Sequence, residues 1–144
     1  MITLAQAQVA ISAKVINVLA FDPSINIILQ GTDHTYELSN AQDVIVRITV
    51  NFGKTLFGEK GRDGVSRRIG VLALSIYTLW GEGAGRGLEV AEVLENAFRK
   101  IELPAGTDNS EIMFEDPYTE GGFLTDNTKY CYTTYAPFYV WVNE

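Results

Sequence analysis

Residues 69–80 are apolar at both alternating phases and rich in β-branched and aromatic side chains, which is the pattern of a strand covered on both faces and central in its sheet. Gly81, Gly83, Gly85 and Gly87 then stop it, because glycine gives up side-chain packing for backbone freedom. From Leu88 the period changes. Val90, Ala91, Leu94, Ala97, Phe98 and Ile101 fall on one side of a helical repeat, and Glu89, Glu92, Glu95, Asn96, Arg99 and Lys100 fall on the other. The spacing predicts a helix that docks one face on a sheet, with its acidic residues in the first turns and Arg99 and Lys100 in the last, as the helix dipole favours.

Upstream, Thr3 and Gln6 have the spacing of a capping box, and Leu4, Ala7, Ile11, Val15 and Val18 form the apolar stripe of a first helix that ends past Leu19, before Asp22 and Pro23. Residues 25–30 and 35–38 read as a short hairpin around the turn 31–34. Residues 44–50 alternate cleanly, with Val44, Val46, Ile48 and Val50 on one face and Arg47 and Thr49 on the other. Residues 52–68 hold four glycines and mixed charges and read as a long hairpin loop, and loops of that length are usually functional. Downstream lie a turn-rich stretch at 103–110, a short strand at 111–115, an irregular segment at 116–127 and an aromatic last strand at 129–142. Pro137 marks that strand as an edge or a bulge. Nothing in the pattern calls for a second domain. The elements predict an α+β fold, a mostly antiparallel sheet with two helices packed on one face and long hairpin loops, in one domain over 1–144.

Composition changes the picture in two ways. With 47% hydrophobic and 20% charged residues the chain is able to fold around a core. Its net charge of −7 argues against general binding to a nucleic-acid backbone, which needs a basic surface. No stretch has the roughly 20 apolar residues of a membrane span, and the start of the chain lacks the pattern of a signal peptide, so the expectation is a protein with no membrane partner that is kept soluble inside a cell. Against the acidic total, residues 54–68 invert the sign. Lys54, Lys60, Arg62, Arg67 and Arg68 face only Glu59 and Asp63, a net of +3, and Leu56 and Phe57 add an apolar pair to the same stretch. Such a pair is more naturally buried in a partner than left in water, which makes the stretch a candidate contact site.

Candidate chemistry is sparse. The glycines at 81, 83, 85 and 87 precede a helix, but the dinucleotide fingerprint would place glycine where Arg86 stands, and no Gly-Lys-Ser/Thr follows. They read as a structural hinge. His34 is the only histidine and sits in the expected turn beside Asp33, while Cys131 is the only cysteine and stands in the last strand. One of each in separate elements makes no metal site. The serines lack a nucleophile-elbow context. The expectation is no catalytic, cofactor-binding or metal residue, and no enzyme.

The order of elements, the sequence Arg67-Arg68-Ile-Gly, the glycine-rich turn and the helix ending Ala97-Phe98-Arg99-Lys100 together resemble the tail terminator (tail completion) proteins of tailed bacteriophages. The resemblance covers nearly the whole chain. Its most specific part is 67–98: a strand of the form Arg-x-Gly-x-Leu-x-x-x-Ile-Tyr, a glycine-rich turn, then Ala-x-x-Leu-x-x-Ala-Phe. Residues 21–38 depart from it, being longer than the family's stretch before the first main strand. The resemblance implies a virion structural protein. It would be assembled in the host cytoplasm into a homo-oligomeric ring, usually of six subunits, that caps the tail tube at its head-proximal end and faces the head or neck connector. Nucleic acid would meet it only through the ring lumen. On this reading Lys54, Leu56, Phe57, Lys60, Arg62, Arg67 and Arg68 carry the contact with the assembly. The alternatives are a connector or neck protein of the same assembly, and a small ligand-binding or hydrolase domain built on the glycines at 81–87.

Overall fold

In the computed structural model, residues 2–32, 38, 42–60, 65–79, 84–106, 110–125 and 129–143 are described, by backbone alone at 54–60, 65–66, 84, 123–125 and 142–143. The first helix begins as the capping box requires. Thr3 Oγ1 accepts from the Gln6 N–H at 3.1 Å, and Gln6 Oε1 accepts from the Thr3 N–H at 3.0 Å. Helix α1 (Leu4–Leu19) buries Ala7, Ile11, Val15 and Leu19. Asp22 then turns the chain, its carboxylate accepting from the Ser24 N–H and hydroxyl at 3.0 and 2.5 Å.

Among the described residues the sheet has seven strands, in the order β1-β2-β3-β7-β5-β4, with β6 pairing separately with β7. Strand β1 (Ile25–Ile28) runs parallel to β2 (Val44–Lys60), from Ile25 beside Val44 to Ile28 beside Arg47. The expected hairpin partner at 35–38 is not what β1 pairs with; residues 33–37, including His34, lie outside the described residues. Beyond Ile28 a side chain takes over the ladder. Gln30 Oε1 accepts from the Val50 N–H at 2.7 Å, and its Nε2 donates to the Val50 carbonyl at 3.3 Å. The remaining pairs are antiparallel: β2 with β3 (Val65–Leu79), β3 with β7 (Lys129–Asn143), β7 with β5 (Glu111–Phe114) and β6 (Tyr118–Thr125), and β5 with β4 (Glu102–Pro104). The fold is thus α+β, two helices with a mostly antiparallel sheet.

Two expected long loops are strands instead. Residues 52–60 continue β2 and residues 65–68 belong to β3, with extra residues bulged out of β2 between Phe52 and Thr55 and between Thr55 and Lys60; residues 61–64 lie outside the described residues. Glycines read as breakers are accommodated where the ladder slips, as bulges allow. Residues 118–125 pair with β7 through a similar irregularity at Gly121 and Gly122, both with positive φ. Strand β7 is not an edge at Pro137, which stands opposite Val71. Its carbonyl accepts from the Glu115 N–H at 2.9 Å, so its nitrogen faces the break between β5 and β6, where no donor is required.

Buried residues of both helices join one cluster with Val44, Val46, Ile48 and Val50 of β2, Leu72, Leu74 and Ile76 of β3, and Ala136, Phe138 and Val140 of β7. On β3 the alternate residues Val71, Ala73, Ser75 and Tyr77 are only half-buried, so the expectation of two equally covered faces is met on one. The cluster ends in an aromatic chain. Phe98 packs edge-on to Phe114 (5.1 Å between centroids), Phe114 lies against Phe138 (5.4 Å), and Phe138 meets the edge of Phe52 (5.8 Å). Gly70 lies under Phe138: a Cβ there would sit 2.5 Å from Phe138 Cζ and 2.7 Å from the Asn51 carbonyl oxygen.

Gly70→Ala should therefore destabilise the protein by about 1–3 kcal/mol through overpacking, read as a lower urea midpoint at an unchanged m-value. A midpoint equal to the parent's would mean that the close approach is relieved at no cost.

Candidate functional site

Strand length and helix length differ enough to shape the molecule. Helix α1, with 16 residues, and α2 (Ala84–Phe98), with 15, each span a little over 20 Å, whereas the 17 residues of β2 reach roughly 50 Å. The core reaches one buried pair past Phe138, to Val140 on β7 and Ile112 on β5. Where the pairing of β5 ends, at Val140, β2, β3 and β7 run on as a three-stranded arm, with β3 and β7 in register out to Val65 beside Asn143.

The arm holds the expected contact residues. Lys54, Leu56, Phe57 and Lys60 lie along the outer part of β2, Arg67 and Arg68 lie on β3, and Arg62 lies outside the described residues. The contact residues that are described therefore lie within strands, with Lys54, Leu56 and Phe57 in the bulged stretches of β2. Arg67 stands opposite Trp141 and sends its guanidinium over the Tyr139 ring, 4.8 Å from the centroid. Ile69 stands opposite Tyr139, and Met113 opposite Tyr139 on its other side. Directly paired residues share a face, so Arg67, Ile69, Met113, Tyr139 and Trp141 make one patch, with Ile69 38% and Trp141 36% exposed. Tyr139 and Trp141 were not singled out as contact residues. The signal was their alternation along the last strand, opposite in phase to Phe138 and Val140.

The glycine stretch is also placed differently from expectation. Helix α2 begins at Ala84, so Gly85 and Gly87 lie in its first turns and not in a loop, Glu89 falls in its second turn, and Arg99 and Lys100 follow its end. Gly81 and Gly83, with Trp80, lie outside the described residues. Gly87 allows close approach, since a Cβ there would meet the Tyr132 ring at 2.9 Å, whereas a Cβ on Gly85 would meet nothing within 4 Å.

Arg86, noted in the sequence only as the residue that spoils a fingerprint, is a tie. Its guanidinium pairs with the Asp22 carboxylate and donates to the Gln42 carbonyl at 3.4 Å, and Glu89 lies 3.7 Å away. One side chain thus fastens the start of α2 to the turn after α1 and to the entry of β2. The Ser24 hydroxyl and backbone N–H, and then Arg86, hold the Asp22 carboxyl below the usual carboxylate range.

Elsewhere chemistry is thin. Cys131 is buried, and burial pushes its thiol up, away from the reactive thiolate. Among the described residues no three His, Cys, Asp or Glu side chains gather to hold a metal, and no helix is long and apolar enough to cross a membrane. Glu95 accepts from the Thr119 hydroxyl at 2.8 Å, and Thr119 and Thr134 share a 2.9 Å hydrogen bond, which joins α2, β6 and β7.

No family model matches the chain, and no curated protein matches it. Seventeen chains of solved structures do, so the fold recurs. One of them, a protein that carries no functional description, aligns over 95% of this chain and 97% of its own at 18% identity and a TM-score of 0.65. At that identity the likeness is one of fold.

Two predictions follow from the helix start. Gly85→Ala should raise stability by about 0.5–1 kcal/mol, because it fixes a helical backbone with no clash, while Gly87→Ala should lower it by about 1–3 kcal/mol against the Tyr132 ring; thermal unfolding of the pair would show shifts of opposite sign. A hinge at Gly85 would instead make alanine costly there, so the same measurement decides between the two readings. Asp22→Asn should lower stability by about 1–2 kcal/mol near neutral pH, the scale of hydrogen bonds to a charged group. A carboxyl whose folded pKa is depressed stabilises above its unfolded pKa and loses that contribution as pH falls through the folded one. The gap between parent and variant should therefore close under acid, below the ordinary carboxylate range; a gap independent of pH from neutral to strongly acidic would show that ionised Asp22 is not the stabilising group.

Proposed function

We propose that this chain is a structural protein of a tailed bacteriophage, a tail terminator. Its copies close into a ring, usually six in the proteins it resembles, that caps the head-proximal end of the tail tube and presents a face to the head or neck connector. The observation that carries the reading is the arm: a strand extension beyond the helix-covered core, in a segment of +3 on a chain of −7, with an arginine–aromatic patch at its base. A surface of that composition suits protein contact, since Arg, Tyr, Trp and Met are enriched where interfaces bury most energy. The sequence pattern over 67–98 supports the family, and two helices on one face of a mostly antiparallel sheet is the architecture the resemblance implies. Work done by surfaces also accords with the exposed apolar residues Val9 and Ile16 on α1 and Leu29 beside them.

The test is electron microscopy of tails made in cells that express the neighbouring tail genes with and without this chain. With it, tubes should end in a ring and join heads; without it they should lack the ring and fail to join. Co-purification with the portal or connector in place of the tube would make it a neck protein, and saturable nucleotide binding or hydrolytic turnover would replace the structural reading altogether. Within the first outcome, Lys60→Glu, Arg62→Glu and Arg67→Glu together, and Phe57→Ser separately, should each leave folding intact and reduce the yield of head-competent tails. Normal yield from both would remove the arm from the contact.

A further inference from the structure

The sheet is electrically lopsided at the level of the arm. One row of paired residues runs from Thr55 on β2 through Arg68, Val140 and Ile112 to Leu103 on β4. Its five strands span about 19 Å at the usual strand spacing. Lys54 flanks the first end of the row. Glu102 flanks the other, in the next row, which runs Ile69, Tyr139, Met113, Glu102. At the β2 end lie Lys54, Glu59 and Lys60, with Arg67 and Arg68 one strand in, a net excess of positive charge. At the β4 end lie Glu102 and, on the adjoining β5, Glu111, both exposed.

Both ends are strand edges. Strand β1 pairs with β2 only from Val44 to Arg47, so among the described residues no strand covers β2 farther out, and the strand order ends at β4. We infer that copies of this protein dock side by side, the basic β2 edge of one arm against the acidic β4 edge of the next copy.

The charges select the occupant. Residues 54–68 carry +3, which leaves −10 for the rest of the chain, so the body of a second copy is the oppositely charged partner always present at the same concentration. The contact is heterologous: each copy offers a different edge to each neighbour, and repetition closes a ring or extends a fibre. It is made by side chains. Pro104 is exposed on β4 and removes a donor, and the bulges of β2 interrupt its edge, so no continuous ladder joins the two sheets. Within one copy a hydrogen bond with Glu102, and then the charge of that carboxylate, raise the proton affinity of Glu111, so two acidic side chains meet at this edge. This docking deepens the ring reading above and rests on it for its biological setting.

The test uses four full-length proteins: the parent, Lys54→Glu/Lys60→Glu, Glu102→Lys/Glu111→Lys, and a control, Glu92→Lys/Glu120→Lys, with the same change in net charge at exposed positions away from the β4 edge. Far-UV circular dichroism checks folding, and sedimentation velocity over a concentration series measures association at about 10 mM and about 150 mM salt, where the screening length falls from roughly 30 to roughly 8 Å. The parent should self-associate more strongly at low salt, and each edge variant alone should associate at least about tenfold more weakly. An equimolar mixture of the two edge variants should recover association, because each junction again pairs a basic with an acidic edge. The control, with both edges intact, should associate as the parent does. A parent that stays monomeric at low salt, folded edge variants that associate as the parent does, or a mixture that fails to recover each overturns the docking. Capped tails built by an edge variant alone would sink the docking and leave the terminator reading standing; recovery in the mixture with no role in tails would do the reverse.

Discussion

Phe138 rests on the bare α-carbon of Gly70, and the rest of the molecule is arranged around that contact. It allows an aromatic ring to lie flat on the sheet where a side chain would hold it away. The same ring is the middle of the chain Phe52, Phe138, Phe114, Phe98, which fastens β5 to β7 and the end of α2 to both. Aromatic pairs contribute about 0.5–1.5 kcal/mol beyond their buried area, so three in series make a firm boundary to the core. On one side of that boundary the sheet is covered by helices. On the other, past the buried pair Val140 and Ile112, strands β2, β3 and β7 continue as the arm.

A second fastening fixes where the helices sit. Arg86 joins the α2 start to Asp22 and to the backbone at Gln42, three points far apart in sequence that meet where the chain leaves α1 and enters β2. Gly87 then lets α2 approach Tyr132 closely. The glycine-rich stretch therefore serves packing at Gly87 and is indifferent at Gly85, and position within the helix separates the two roles.

Much of this was legible from the order of residues, and the misses share a cause. The capping box of α1, the alternation of 44–50, the buried phase of β3 and the apolar face of α2 are local patterns, and they appear where their periods place them. The misread stretches depend on partners distant in sequence. Residues 53–60 look irregular because bulges absorb their glycines, which only the register against β3 reveals. Pro137 looks like an edge until the gap between β5 and β6 is seen beside it. The parallel pairing of β1 and the bond from Gln30 to Val50 have no local signature at all. For the candidate site, the basic stretch was visible as a charge reversal, while Tyr139 and Trp141 joined it only when β7 was paired to β3.

Open strand edges and a reversed charge pull against each other in an instructive way. A long exposed edge invites uncontrolled pairing between chains, and proteins blunt such edges with bulges, prolines and charge. Here β2 has the bulges, β4 has Pro104, and both carry charge, but the charges are of opposite sign at the two ends. Had both ends been basic or both acidic, the blunting would simply keep copies apart. Opposite signs would keep like edges apart and draw unlike edges together, which disfavours a two-fold pairing of β2 with β2 and favours the proposed head-to-tail contact. Without a continuous ladder to lock it, that contact remains reversible and salt-sensitive, so it gains strength when many copies are held at one place. A subunit proposed to close a ring on the end of a tube would benefit from both properties: the contact is weak and reversible between free copies and strengthens where the tube gathers them.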